Sequence, residues 1–249
     1  MMEPGTKTHL SRPVLSKAVL LAAGLGTRLR PLTYTVPKPL LPLDGILIID
    51  HQLRYLASQG IQEVVINIHH LGDNIRQHVG NGSRFGLKVG YSEEPTILGT
   101  GGGIKKAAAA FGPETFVVLN SDALIDATLT TIMELHLSTK ARATMVLRKL
   151  TDSDDYTPVA LYHDGFVAGF GTGQHFFSGL QILGPEMLDT LPPAGRPACI
   201  IEDGYRPLMD TGAKVAAFIH QGRFNDVGTL ARYEQVKRDV AQGRFHPLV

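Results

Sequence analysis

The 249-residue chain has a single cysteine, Cys199. An internal disulfide and a multi-cysteine metal site are therefore excluded, and the usage fits a reducing cytoplasm. An excess of either charge is also missing: 24 Lys and Arg stand against 23 Asp and Glu, a formal net charge of +1. Without a basic field, nucleic acid is not an expected partner, and any phosphate chemistry must come from local groups. No apolar run approaches the roughly 20 residues needed to span a bilayer, so no membrane partner is expected. The opening residues 1–16 carry Pro4, Gly5 and Pro13 and lack the apolar core of a secretion signal. They read as a flexible leader before one domain over 17–249.

What is present is globular. Hydrophobic residues make up 43% and charged residues 19%, enough for a well-buried core. Residues 17–23 form a short apolar run, the pattern of a strand buried on both faces. Six glycines and prolines interrupt the next twenty-odd positions (Gly24, Gly26, Pro31, Pro37, Pro39 and Pro42), which must be loop with at most a turn of helix. A long structured loop directly after a first strand suggests function.

Beyond it the alternation is regular. Helical spacing is expected over 46–58, 72–79, 102–111 and 127–139, and strands over 63–68, 87–91, 116–120 and 143–150. This order implies an α/β fold: a single-domain, Rossmann-like, mixed but mostly parallel sheet with helices on both faces. After Thr151 the rhythm shifts to a hairpin (158–163 with 166–171), a strand over 176–183, short helices over 185–190 and 201–209, a strand over 214–219 and a closing helix over 229–241.

Two common nucleotide signatures are missing from the loop. The third glycine of a dinucleotide fingerprint is replaced by Leu29, and no Gly-Lys-Ser/Thr occurs, which removes a P-loop NTPase. The loop still reads Leu21-Ala-Ala-Gly-Leu-Gly-Thr-Arg-Leu-Arg-Pro-Leu-Thr33. It leaves a strand at the edge where open α/β sheets bind ligands. Gly24 and Gly26 let the backbone approach an anion, while Arg28 and Lys38 offer a guanidinium fork and a compact ammonium. Taken alone, Gly-x-Gly is an ordinary tight turn. Pro37-Lys38-Pro39 restricts the backbone on both sides of the lysine, which a solvated surface lysine does not need.

Together with Pro-Lys-Pro-Leu-Leu-Pro, these words closely resemble the nucleotide-binding loop of the sugar-1-phosphate nucleotidyltransferases, and the resemblance runs from Lys17 to Val240. It implies the nucleotide-diphospho-sugar transferase fold. The implied reaction joins an NTP (UTP, GTP or dTTP) and a sugar 1-phosphate into an NDP-sugar and pyrophosphate, with Mg²⁺ and a role in cell-envelope polysaccharide. Arg28 and Lys38 are the implied catalytic cations, and Ala22, Gly24, Gly26 and Thr27 join them on the nucleotide.

By itself Asp122 reads as a strand-end turn, and Asp226 in Phe224-Asn-Asp-Val-Gly-Thr229 as a helix N-cap. The resemblance makes both of them Mg²⁺ ligands, which suits an ion that needs only one or two protein carboxylates. The words Leu98-Gly-Thr-Gly-Gly102 resemble a nucleobase loop, giving Gly99, Thr100 and Gly101. Asn120, Phe177, Ser178, Gly179 and Glu202 are the sugar-side candidates. The Thr-Gly-Gly-Gly wording and the Ser-Arg-Phe-Gly turn at 83–86 are closest to N-acetylmuramate-1-phosphate uridylyltransferases, with mannose- and heptose-1-phosphate guanylyltransferases beside them. Relatives with Glu-Lys-Pro before the sugar strand have a second cation there; residues 169–174 of this chain supply neither the acid nor the lysine.

Two other readings compete. A non-catalytic regulatory subunit of the same fold tends to lose the Arg, the Lys or an Asp, and all four stand here. A metal-dependent glycosyltransferase uses Asp-x-Asp, whereas Asn120-Ser121-Asp122 has one acid. A homo-oligomer is compatible with the sequence and not specified by it.

Overall fold

The computed structural model describes residues 15–151 and 154–244. The expected leader lies mostly outside the described residues; of its last two positions, Leu15 is buried and Ser16 accepts from the backbone amides of Gln62 and Glu63. Strand β1 (Lys17–Leu21) is followed by the long loop, a two-residue pair β2 (Pro42–Leu43) and β3 (Ile46–Leu47), and helix α1 (Ile48–Ser58). Then come β4 (Glu63–Ile68), α2 (Gly72–Val79), β5 (Lys88–Glu93), α3 (Gly99–Ala108) and β6 (Phe116–Asn120). The second half contains β7 (Ala123–Ile125), α4 (Leu129–Ser138), β8 (Ala143–Lys149), β9 (Pro158–Leu161), β10 (Val167–Phe170) and β11 (His175–Leu183). It ends with α5 (Pro185–Thr190), a π-helical turn (Ile200–Tyr205), α6 (Arg206–Asp210), β12 (Val215–Ile219), β13 (Phe224–Asp226) and α7 (Leu230–Ala241).

The main sheet has nine strands, with the path β10-β9-β11-β6-β1-β4-β5 and with β8 and β12 branching from β11. Strand β1 lies parallel between β4 and β6, and β5 continues parallel beyond β4. Strand β11 runs antiparallel to β6, β8 and β9, and the hairpin partner β10 runs against β9. The other seven strands share one direction, because β12 is parallel to β8. The sheet is thus mixed and mostly parallel, as the alternation predicts.

Helices cover both faces. Ile49 and Leu53 of α1, Ile75 of α2 and Ile132 of α4 pack on one face with Leu20, Ile66 and Leu119. Ile104 of α3, Met187 of α5 and Leu208 of α6 pack on the other with Val19, Val65 and Val118. Sequential elements run outward from β1 through β4 to β5, then return across the opposite face to β6. This reversal opens a crevice beyond the carboxyl ends of β1 and β6, the place where such sheets bind ligands. No helix among the described residues is long and apolar enough to cross a membrane.

Several bounds shift by one or two residues from the sequence expectation, as where the helix expected from position 46 opens at Ile48 because Ile46–Leu47 pair with β2, and two differ more. Helix α3 begins at Gly99, three residues earlier than its periodicity suggests. A side chain at Gly102 would stand 2.5 Å from the Arg196 carbonyl, and one at Gly101 3.1 Å from the Ile200 amide, so glycines are what let this helix start lie against the 196–200 segment. The helix expected over 201–209 is a π-helical turn leading into the shorter α6.

Candidate functional site

A third apolar cluster, separate from the two sheet faces, assembles the charged residues. Leu29, Leu41, Leu124, Val227, Tyr233 and Val236 bury together. Leu29 follows Arg28 in a 3₁₀ turn (Thr27–Leu29), Val227 follows Asp226, and Leu124 lies two residues beyond Asp122. Burying the apolar neighbours therefore carries the three charges to one edge. Strand β13 pairs antiparallel with β7, placing Asp226 opposite Ala123, and the Val227 amide donates to the Asp122 carbonyl at 3.0 Å.

Gly228 marks the point of convergence. A Cβ built there would stand 2.6 Å from Asp226 Oδ1, 3.2 Å from Arg28 Nη2 and 3.3 Å from Asp122 Oδ2. Lys38 joins the group: its Nζ donates to Asp122 Oδ2 at 2.7 Å. The lysine is set by a 3₁₀ turn (Lys38–Leu40), in which the Leu40 amide donates to the Pro37 carbonyl at 2.8 Å and Pro39 is buried. Burial alone would raise the Asp122 carboxyl. The charge and hydrogen bond of Lys38, with the charge of Arg28, outweigh it and hold the group below its ordinary value of 3.8.

Asp226 is held just as firmly. Its Oδ2 accepts from Tyr156 Oη at 2.8 Å and Arg232 Nη1 at 2.7 Å, and its Oδ1 accepts from the Gly228 amide. Burial and then the bond to Asp226 push the Tyr156 phenol up from its ordinary value. Among the described residues no three His, Cys, Asp or Glu side chains gather as a metal centre. Two carboxylates meeting at one point suit a cation that takes only one or two protein ligands and completes its shell with water and substrate phosphate, the pattern of Mg²⁺.

Beside this point lies a cavity of about 200 Å³, lined among others by Gly24, Lys38, Gly99, Thr100, Asn120 and Asp122. Gly26 adopts φ +63, and a side chain there would meet the Thr33 methyl at 2.9 Å, so the second glycine serves the turn itself. Ala22 turns its amide to Asn67 Oδ1 at 2.6 Å, while Thr27 is exposed in the turn that presents Arg28. Gly101 is buried, and its amide donates to the Ala198 carbonyl at 2.9 Å.

The sugar-side candidates divide. Phe177 and Glu202 line a second cavity of about 430 Å³ together with Tyr156 and Arg206. Glu202 pairs with Arg206 at 2.8 Å. Gly179 has φ +86 and faces Asn120, whose Cβ would be 3.0 Å from an added methyl. Ser178 points elsewhere: its hydroxyl is buried and donates to the Val146 carbonyl at 2.8 Å. The His69-His70 pair is a loop pair, with His69 Nδ1 at 2.6 Å from the Glu94 carbonyl.

Sequence reasoning misses Asn67, Glu94, Tyr156, Arg232 and Gly228. One signal was present: Asn67 is the single polar residue inside the apolar run Val64-Val-Ile-Asn-Ile68. The others depend on contacts across the fold that spacing does not reveal.

A Rossmann-like sheet with a glycine loop, two converging carboxylates and two cations at its crevice defines a phosphate-handling α/β protein. The family described as Nucleotidyl transferase matches residues 17–243, and the chain belongs to it. The N-acetylmuramate alpha-1-phosphate uridylyltransferase of Neisseria meningitidis serogroup B is 34% identical over 229 residues, 89% of this chain and 96% of the relative. The UTP–glucose-1-phosphate uridylyltransferase of Synechocystis sp. is 31% identical over 90% of this chain, but this chain spans only 63% of that relative's length. The crystal structure of HddC from Yersinia pseudotuberculosis superimposes with a TM-score of 0.79 at 24% identity, covering 91% of this chain and all of HddC, a likeness of fold.

Proposed function

We propose that the protein transfers a nucleoside monophosphate from an NTP to a sugar 1-phosphate, releasing pyrophosphate. The observation that carries this reading is the meeting of Arg28, Asp122 and Asp226 around Gly228, with Lys38 on Asp122, at the rim of the glycine-loop cavity. A phosphate oxygen of the sugar phosphate attacks the α-phosphorus. A new O–P bond forms, and the bond from the α-phosphorus to the bridging oxygen breaks, leaving pyrophosphate with that oxygen. The nucleophile is already an anion at neutral pH, so no general base is needed. Catalysis rests on alignment and charge neutralisation.

In this reading the 200 Å³ cavity takes the nucleoside end of the triphosphate and the 430 Å³ cavity the sugar. Gly24 lets the backbone approach the phosphates, Lys38 neutralises the phosphate at the reacting phosphorus, and Arg28 stabilises the leaving pyrophosphate. Asp122 and Asp226 would hold Mg²⁺, which screens the repulsion between the two anions. UTP, GTP and dTTP are all candidate donors.

The relatives' printed names favour uridylyl and guanylyl transfer to N-acetylmuramate, glucose or mannose 1-phosphates. A matrix of UTP, GTP and dTTP against these sugar phosphates, with pyrophosphate detection and with or without Mg²⁺, tests the assignment. Magnesium-dependent pyrophosphate from at least one pair is expected. No release from any pair moves the chain to the regulatory reading.

A further inference from the structure

Behind the glycine-loop cavity lies a buried polar chain that the proposed chemistry does not use. The Ala22 amide donates to Asn67 Oδ1 at 2.6 Å, Asn67 Nδ2 donates to Glu94 Oε1 at 2.8 Å, and the Leu98 amide donates to Glu94 Oε2 at 2.9 Å. Asn67 is 3% exposed and Glu94 1%, yet both line the cavity. The four members come from four segments: the loop after β1, the end of β4, the residue after β5 and the residue before α3. On the far side α3 leaves no slack, since a side chain at Gly103 would stand 2.7 Å from both Asn67 Nδ2 and Glu94 Oε1.

The order of donors and acceptors along this chain is forced. A backbone amide only donates, so Asn67 must turn its oxygen to Ala22 and its amino group to Glu94. Glu94 is then met by donors at both ends, from Asn67 and from Leu98. A carboxylate satisfies both; a glutamine would set its own amino group against one of them. Such a buried network holds its geometry only while every member is satisfied.

We propose that Asn67 and Glu94 are positioning residues for the nucleotide: together they fix the separation between the glycine loop, through Ala22, and the nucleobase loop, through Leu98. The proposal rests on the reading that the 200 Å³ cavity takes the nucleoside triphosphate. Neither residue lines the second cavity, and their side-chain bonds run to Ala22, to each other and to Leu98 and not to Asp122 or Asp226, so the effect expected is on nucleotide binding and not on the sugar.

The decisive experiment exchanges the two polarities. Glu94→Gln places two amino groups in conflict, and Asn67→Asp places two carboxylates in conflict. The double variant restores every hydrogen bond. Its new carboxylate at position 67 accepts from the Ala22 amide and from the new side-chain amide at position 94, whose oxygen in turn accepts from Leu98. Calorimetric titration of full-length protein with UTP, GTP and dTTP in Mg²⁺, without sugar phosphate, reads the binding directly.

Each single variant is expected to weaken nucleotide binding and raise the NTP KM about 10- to 100-fold, with the sugar 1-phosphate KM nearly unchanged. The double variant is expected to return to within about threefold of wild type, a coupling typical of residues in one network. Single variants that bind like wild type, or a double variant no better than the worse single one, overturn the proposal. So does a parallel rise in both KM values with a lowered Tm, the mark of a general structural role. If the single variants do not fold, the double variant decides: folded and binding supports the proposal, unfolded overturns it. Wild-type protein that binds none of the triphosphates instead overturns the reading of the cavity itself.

Discussion

Lys38 donates to Asp122 across 2.7 Å, joining a proline-bracketed loop to the end of a strand 84 positions further on. Both side chains are largely covered, at 13% and 22% exposure. The pair is therefore less screened than a surface salt bridge, and each partner holds the other in place. Lys38→Ala should lower kcat about 10²–10³-fold, as removal of one positioned donor from a site of developing charge does. Steady-state pyrophosphate release measures it, and near-normal turnover would remove Lys38 from the chemistry.

The same pair sets a pH signature. Asp122 has a folded pKa below its ordinary value, so its ionisation contributes stability that is present above about 3.8 and is lost as pH falls through the folded value. In Lys38→Ala the burial cost is opposed only by a backbone hydrogen bond and, after it, the charge of Arg28, and that contribution shrinks. Urea unfolding of both proteins across a pH series should show wild type more stable at neutral pH and the gap closing only below the ordinary carboxylate range. A gap that widens in acid would contradict the assignment.

Gly228 has no positive φ in the fold; its requirement is space. An added methyl would stand 2.6 Å from Asp226 Oδ1, and the carboxylate, being a side-chain end, is what must yield. Gly228→Ala should therefore lose turnover and magnesium response together, with a stability loss of about 1–3 kcal/mol as the hydrogen bonds that hold the carboxylate are disturbed. A fully active, magnesium-responsive Gly228→Ala would show that the Asp226 position is not critical.

The contrast between Gly228 and the main sheet shows what sequence makes legible. Glu63–Ile68, Gly72–Val79, Phe116–Asn120 and Pro185–Thr190 appear with the bounds expected, because each has an apolar period or a run between clear breakers. The three-residue strands Ala123–Ile125 and Phe224–Asp226 do not appear from sequence. Three residues carry no period, and their pairing is specified by partners about a hundred positions away. At the site, the glycine loop and Pro-Lys-Pro stand out because backbone constraint is written in glycine and proline. Tyr156 and Arg232 do not, because their meaning lies only in what they touch.

Ser178 separates resemblance from geometry. Its hydroxyl serves the Val146 carbonyl inside the sheet, while its neighbour Gly179 faces Asn120. Ser178→Ala should cost about 1 kcal/mol of stability, the scale of one buried hydrogen bond, and leave the sugar 1-phosphate KM unchanged. Gly179→Ala should do worse on both counts, since it forces a φ of +86 on a side-chain residue and presses on Asn120. Thermal unfolding and KM measurements on the two variants check this, and a raised KM in Ser178→Ala would place the hydroxyl in the sugar site.

Tyr156 stands where three parts of the site meet. Its ring stacks on Phe176 at 4.1 Å and 7°, with the Arg232 guanidinium 4.4 Å from its centre on Asp226's side, and its hydroxyl bonds Asp226 Oδ2. Residues that hydrogen-bond a metal-binding carboxylate fix its orientation, and their removal commonly costs about 10–100-fold in metal affinity or activity. Tyr156→Phe keeps the stack and deletes the one bond to Asp226, leaving Arg232 to hold the carboxylate. The variant should therefore fold like wild type and bind Mn²⁺, used as a spectroscopic substitute for Mg²⁺, about tenfold more weakly in the presence of nucleotide. Titration followed by electron paramagnetic resonance reads this without turnover. Unchanged Mn²⁺ affinity would mean that Arg232 and the Gly228 amide are enough to aim Asp226, and that the tyrosine serves only to wall the sugar-side cavity.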